Sequence, residues 1–252
     1  SVAVQWQLAR LRTLENPVLS VRGITDTYVD GLFDAVLSDS EPGKPPVYQH
    51  QQRPNLWLFL AGDMRWWIGT ASAKEALDDR GIVHSALVQP GEDPAQASGW
   101  HVRSADVWEE CPALEITVVP GAPRACDEWQ RAHHRARSVE VWGKVDFVGK
   151  YVLQAEAKDA AGPPTYQSAS DPDLWLHLAL DGCWWLSHTK CMQERRPRGW
   201  MRSDVVKPGT LPHEVTEWRA HNAGSWEVGD MIQVLLPEAA SRAWQNALDE
   251  AR

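Results

Sequence analysis

Apolar and polar residues alternate with period two through much of this chain. In Leu174-Trp175-Leu176-His177-Leu178-Ala179-Leu180 the leucines fall on one side and Trp175, His177 and Ala179 on the other. That is a strand pattern. Leu56-Trp57-Leu58-Phe59-Leu60-Ala61 repeats it. Both sides are largely apolar, so this strand is expected to be central and covered on both faces. Asp181-Gly182 predicts a two-residue hairpin turn into Cys183–Ser187, and Gly62-Asp63 marks a slightly shifted bend in the earlier copy. Further strands are expected at 151–155, 165–169, 199–205, 217–221 and 231–236, with Pro- and Gly-rich turns between them. Residues 72–79 read as a helix. Their later counterpart, 190–197, contains Arg195, Arg196 and Pro197 and reads as a loop.

The pattern occurs twice because the sequence does. Pro45-Pro46-Val47-Tyr48-Gln49 aligns with Pro163-Pro164-Thr165-Tyr166-Gln167, a shift of 118 positions from Pro45 to Pro163. The same shift carries Trp57 to Trp175, Trp66-Trp67 to Trp184-Trp185, Pro90-Gly91 to Pro208-Gly209, Trp100 to Trp218 and Trp108 to Trp226. So many tryptophans in one register establish an internal duplication. A Trp-Gln-x-Ala motif occurs three times, at Trp6, Trp129 and Trp244, each in a helix-like stretch. Two arrangements follow: each repeat is flanked by a helix, or the chain belongs to a longer array or polyprotein. The expected fold is mainly β: two tandem antiparallel β-meander repeats, sandwich or barrel-like, with short flanking helices. The divisions are 1–14 (N-terminal helix), 21–120 (first β repeat), 121–138 (linker helix), 139–237 (second β repeat) and 238–252 (C-terminal helix).

Composition makes the tryptophans the main question. There are 15, against four tyrosines and three phenylalanines. Burying one removes about 150–250 Å² from water, on the order of 4–6 kcal/mol as an upper bound. Trp57, Trp100 and Trp108, with their counterparts, are expected in the core. Neighbouring strand residues face opposite ways, so Trp66 and Trp67 cannot share one core face. The expectation is therefore that one member of each pair is accessible. Trp67 with Tyr48, and Trp185 with Tyr166, are the candidate ligand-binding residues, stacking on sugar, peptide or proline-rich chains.

Charge and motifs narrow the function classes. A net charge of −9 disfavours nucleic acid as a partner, and no apolar run approaches the ~20 residues of a membrane-spanning helix. The basic cluster Arg131, His133, His134, Arg135 and Arg137 follows Asp127 and Glu128, an order that complements a helix dipole. Cys111, Cys126, Cys183 and Cys191 are too few for a disulfide scaffold in a chain this long. His177, Cys183, His188 and Cys191 have a suggestive composition but match no standard zinc spacing. No nucleophile elbow, phosphate loop or dinucleotide fingerprint is present. Asp63 and Asp181 recur at the bend and read as turn residues. No catalytic residue, metal or cofactor is expected.

The motif Gly-x-(Phe/Tyr), Pro-Pro-x-Tyr-Gln, Leu-Trp-Leu, Trp-Trp, Pro-Gly and a closing Trp, present at 31–33, 45–49, 56–58, 66–67, 90–91 and 108 and again 118 residues later, resembles a Trp-rich β-repeat module of uncharacterised dinoflagellate and algal (protist) proteins. The resemblance implies tandem β modules with no established activity. The expected function is a non-catalytic module binding a glycan or protein ligand. The alternatives are a structural or assembly subunit and an enzyme with a site between the repeats.

Overall fold

The computed structural model describes residues 1–24, 28–36, 43–105, 107–143, 145–154, 162–222, 225–228 and 232–250; the side chains of residues 222, 244 and 247–250 lie outside that description. The chain divides into two units, Ser1–Arg124 and Ala125–Arg252.

The first unit comprises α1 (Val2–Glu15), β1 (Val18–Arg22), β2 (Gly31–Ala35), β3 (Tyr48–His50), β4 (Leu56–Leu60), β5 (Arg65–Thr70), α2 (Ala71–Ala76), β6 (Val83–Leu87), β7 (His101–Ser104), β8 (Val107–Glu110) and β9 (Glu115–Val118). The second repeats the series as α3 (Ala125–Ala132), β10 (Ser138–Trp142), β11 (Gly149–Leu153), β12 (Tyr166–Ser168), β13 (Leu174–Leu178), β14 (Cys183–His188), α4 (Thr189–Gln193), β15 (Met201–Val205), β16 (Trp218–Asn222), β17 (Ser225–Val228) and β18 (Gln233–Leu235). The helix α5 (Pro237–Glu250) follows, and the side chain of its Trp244 lies outside the described residues.

Each unit is one nine-stranded antiparallel sheet, curled into a half-barrel. Eight strands form a meander, and the ninth returns to pair with the first. Chain length explains the curl in the first unit. Flat, β8 and β9 would lie eight strand spacings apart, about 38 Å, whereas the five steps from Glu110 to Glu115 reach at most about 18 Å. The edges must bend toward each other, so each unit is a curled single sheet and not a sandwich.

One face of each sheet forms the main core. Leu56, Leu58, Leu60, Trp66 and Ile68 pack there with Trp6 and Ala9 of α1. Leu176, Leu178, Trp184 and Leu186 do the same with Trp129 and Ala132 of α3. The Trp6 ring meets Trp66 edge-on at 6.2 Å, and Trp129 meets Trp184 at 6.3 Å. Arg12 donates to the Gly91 carbonyl, and Arg135 to that of Gly209. The helix between the repeats is thus a core element of the second unit, as α1 is of the first. Pro90-Gly91 and Pro208-Gly209 let these helices approach: φ is +85° and +82°, and a Cβ on either glycine would meet Gln5 or Glu128 at about 3 Å.

Two local expectations need correction. The bend before each Trp pair is a three-residue loop, with Ala61 bonded to Arg65 and Ala179 to Cys183. Positive φ falls only on its last residue, Met64 or Gly182. That is a three-residue hairpin loop closed by a residue of positive φ and not a two-residue primed turn. Residues 190–197 also contain helix: α4 matches α2, because Lys-Cys-Met-Gln tolerates helix well and only Arg195, at φ +49°, ends it. Leu77, at φ +50°, ends α2 in the same way.

Candidate ligand-binding site

The four residues singled out from sequence fall on opposite faces of the sheets. Tyr48 and Tyr166 are buried in the main cores. Their rings lie 6.5 and 6.3 Å from Trp66 and Trp184. The Tyr48 hydroxyl lies 3.0 Å from Thr13 Oγ1, and Tyr166 donates to the Ala136 carbonyl. Burial pushes both phenols well above their ordinary range. They cannot flank Trp67 or Trp185, which point through the sheet the other way. This corrects the Trp–Tyr platform: successive strand residues alternate faces, and the core side claimed both tyrosines.

Trp67 and Trp185 belong to a second apolar layer and are each only 5% exposed. Each indole N–H donates to the bend carboxylate, Trp67 to Asp63 at 3.1 Å and Trp185 to Asp181 at 3.1 Å. The same carboxylates accept the backbone N–H groups of Arg65 and Cys183. The bend aspartates therefore shape the turn and pin the indole. Among the described side chains the most exposed tryptophans are Trp108 and Trp226, each 36% exposed on the edge strands β8 and β17. The core expectation for Trp108 is corrected accordingly. Their rings meet Trp67 and Trp185 edge-on at 5.4 and 5.3 Å.

From this shared frame the two units build different surfaces. In the second, Trp185, Trp200 and Trp226 line an open cleft of about 520 Å³ with His188, His221 and Cys191. His188 stands edge-on to Trp200 at 4.3 Å, and its Nδ1 lies 2.8 Å from Asp173 Oδ2. The Arg202 guanidinium sits over Trp226 at 5.3 Å and Trp185 at 5.9 Å, a cation–π arrangement that orients the wall. In the first unit the matching positions to Trp200, His188 and Cys191 are Ile82, Thr70 and Ala73. The groove there, about 390 Å³, has no tryptophan in its lining.

Two histidines take the place of arginines beside Trp108. His84 and His101 stack at 5.0 Å, where the second unit has Arg202 and Arg219. Each donates through Nδ1 to a backbone carbonyl, of Ser85 and Gly99. Burial, aided by nearby Arg65 and His101, holds His84 below the ordinary imidazole range. The four cysteines are free thiols. Burial pushes Cys183 up to about 12, which makes it a poor nucleophile or metal ligand. Among the described residues no group of three or more His, Cys, Asp or Glu side chains is placed to hold a metal ion.

Sequence reasoning overlooked Trp200 and His221, and weighed His188 only as a metal ligand, because it looked for residues that recur. The signal lay in the positions that do not: Trp200 is one of the two tryptophans outside the repeated sets. No protein family, curated protein or solved structure matches this chain.

Proposed function

We propose that the protein is a tandem β-repeat binding module whose ligand site is the aromatic cleft of the second unit, and that the ligand is a carbohydrate. One observation carries this reading. Three indoles line a single open cleft together with His188 and His221. Flat apolar walls with a few fixed polar groups suit a sugar ring, which has an apolar face and a hydroxyl rim. Calorimetric titration of neutral and acidic oligosaccharides tests it. Trp226→Ala or Trp200→Ala should weaken binding at least tenfold, about 1.4 kcal/mol, while Trp108→Ala leaves it unchanged. Absence of binding across a broad panel would sink the proposal.

A second reading, an assembly subunit, is favoured by α1. Val4, Leu8 and Leu11 follow helical spacing on its outer side and are each about half exposed. The matching residues in the second unit are Asp127 and Arg131 of α3 and His134 in the turn after it. If this stripe seats a partner or another copy, Leu8→Arg reduces the mass measured by light scattering or abolishes co-purification of the partner. An unchanged monomeric mass in both proteins removes this reading.

A further inference from the structure

Beneath the second unit's outer face lies a guanidinium with no counter-charge among the described residues. Arg195 is locked in place: its N–H donates to Met192 at 3.1 Å, its carbonyl accepts from Leu180 at 2.9 Å, and its Nε donates to the Leu178 carbonyl at 3.1 Å. The residue as a whole is half-buried, but its Nη2 is buried without a hydrogen-bond partner. No carboxylate pairs with it among the described residues; neighbouring Glu194 is engaged by Arg196 instead. Close by, the buried His177 places Nε2 2.8 Å from Ser187 Oγ, while its Nδ1 is also buried and unpartnered. Burial first, and then the Arg195 charge, lower the His177 pKa to about 4. The site therefore holds one fixed positive charge.

The first unit shows that the fold does not need these groups. The counterparts of Arg195, His177 and Ser187 are Leu77, Phe59 and Gly69. The backbone is the same: the Leu77 carbonyl accepts from Gly62 at 3.1 Å, and φ is +50°. Three apolar or bare positions have become a cation, an imidazole and a hydroxyl in one place. A buried charge left unpaired is strongly unfavourable.

We propose that Arg195 and His177 form a binding site for a small monovalent anion, of the size of a halide. The anion accepts from Nη2–H and from Nδ1–H; Ser187 turns its hydroxyl hydrogen to Nε2 at 2.8 Å in preference to the His188 carbonyl at 3.4 Å, so each group is satisfied. A water molecule could meet the hydrogen bonds but would leave the charge uncompensated. The buried setting selects a small, singly charged species, because a dianion would lose more hydration and find only one cation.

Bromide is the probe. In crystals of the full chain grown in bromide, an anomalous peak is expected within hydrogen-bond distance of Arg195 Nη2 and is absent in Arg195→Leu. In solution at constant ionic strength, exchanging sulfate for bromide should raise the unfolding midpoint of the natural chain relative to that of Arg195→Leu, the comparison cancelling the general effect of the salts. Leucine is already accommodated at this backbone position in the first unit, and His177→Phe provides a second variant of the same kind. An ordered water in place of the anomalous peak, or the same response to the salt exchange in both proteins, overturns the proposal.

Discussion

On the core side of the two sheets, Phe33 answers to Tyr151, Ile68 to Leu186 and Val83 to Met201; on the other side, Phe59 answers to His177, Leu77 to Arg195 and His84 to Arg202. The first set preserves bulk and polarity class because each residue is enclosed by the helix and the curled sheet, where voids and overpacking both cost stability. The second set changes chemistry outright. Only short helices and edge strands cover that face, so its side chains answer to local partners. Most changes of chemistry thus fall on the outer face, around the retained Asp63–Trp67–Trp108 frame, with His50 against Ser168 the exception on the core side, and the divergence supplies controls: each unit shows what the other does without a given residue.

The largest expected effect concerns Gly31 and Gly149. Both have positive φ, +153° and +139°. A Cβ at Gly31 would sit 2.5 Å from the buried His50 ring, whereas at Gly149 it meets nothing within 4 Å. The difference arises because His50 has Ser168 as its counterpart. Gly31→Ala should cost about 3 kcal/mol, combining backbone strain with displacement of a packed ring. Gly149→Ala should cost about 1 kcal/mol from strain alone. Chemical denaturation of the two variants measures the gap; equal losses would show that the ring contact carries no weight.

His50 sharpens the comparison through pH. Its Nδ1 accepts the backbone N–H groups of Gln52 and Arg53, and its Nε2 donates to the Asp30 carbonyl. In the second unit Ser168 Oγ accepts the matching N–H groups of Ser170 and Asp171 without a titrating group. Burial lowers the His50 pKa to about 4 from an unfolded value near 6.5. The neutral ring's contribution is complete above pH 6.5 and is lost as pH falls to about 4, at about 1.4 kcal/mol per pH unit. The first unit should therefore lose on the order of 3 kcal/mol across that window from this residue. His50→Ser should flatten the slope. A slope unchanged in the variant would place the acid sensitivity elsewhere.

Much of the fold was readable in the sequence because the second copy checked the first. Leu58 and Leu176 could be assigned to strands with opposite-facing tryptophans by alternation alone. The helices were harder to place. Trp6 and Trp129 are 123 positions apart while the central strands are 118 apart, so the loops between helix and sheet differ in length and a single register does not join them. The accessible indole was misplaced for another reason. Alternation says that Trp66 and Trp67 part company, but not that Asp63 and Trp108 close over Trp67. Cover from strands more than 20 residues away is set by the curl of the sheet, which no local pattern encodes.

The smallest predicted effect tests whether the units can correct each other. Trp175 donates its indole N–H to Thr189 Oγ1 at 3.0 Å. The matching indole nitrogen of Trp57 is buried without a hydrogen-bond partner, because the residue at Thr189's place is Ala71. Both residues open a short helix, α4 or α2. Thr is a modest helix former, but at the first helical position that penalty is small. The gained hydrogen bond satisfies a buried donor, which is worth about 1 kcal/mol. Ala71→Thr should therefore stabilise the first unit by about 0.5–1 kcal/mol, and Thr189→Ala should destabilise the second by about 1 kcal/mol. If Ala71→Thr proves neutral while Thr189→Ala costs the full amount, Lys74, whose ammonium lies 4.1 Å from the Trp57 ring centroid, already compensates the first unit in another way. The double variant Ala71→Thr with Lys74→Met, copying Met192, then separates the two contributions.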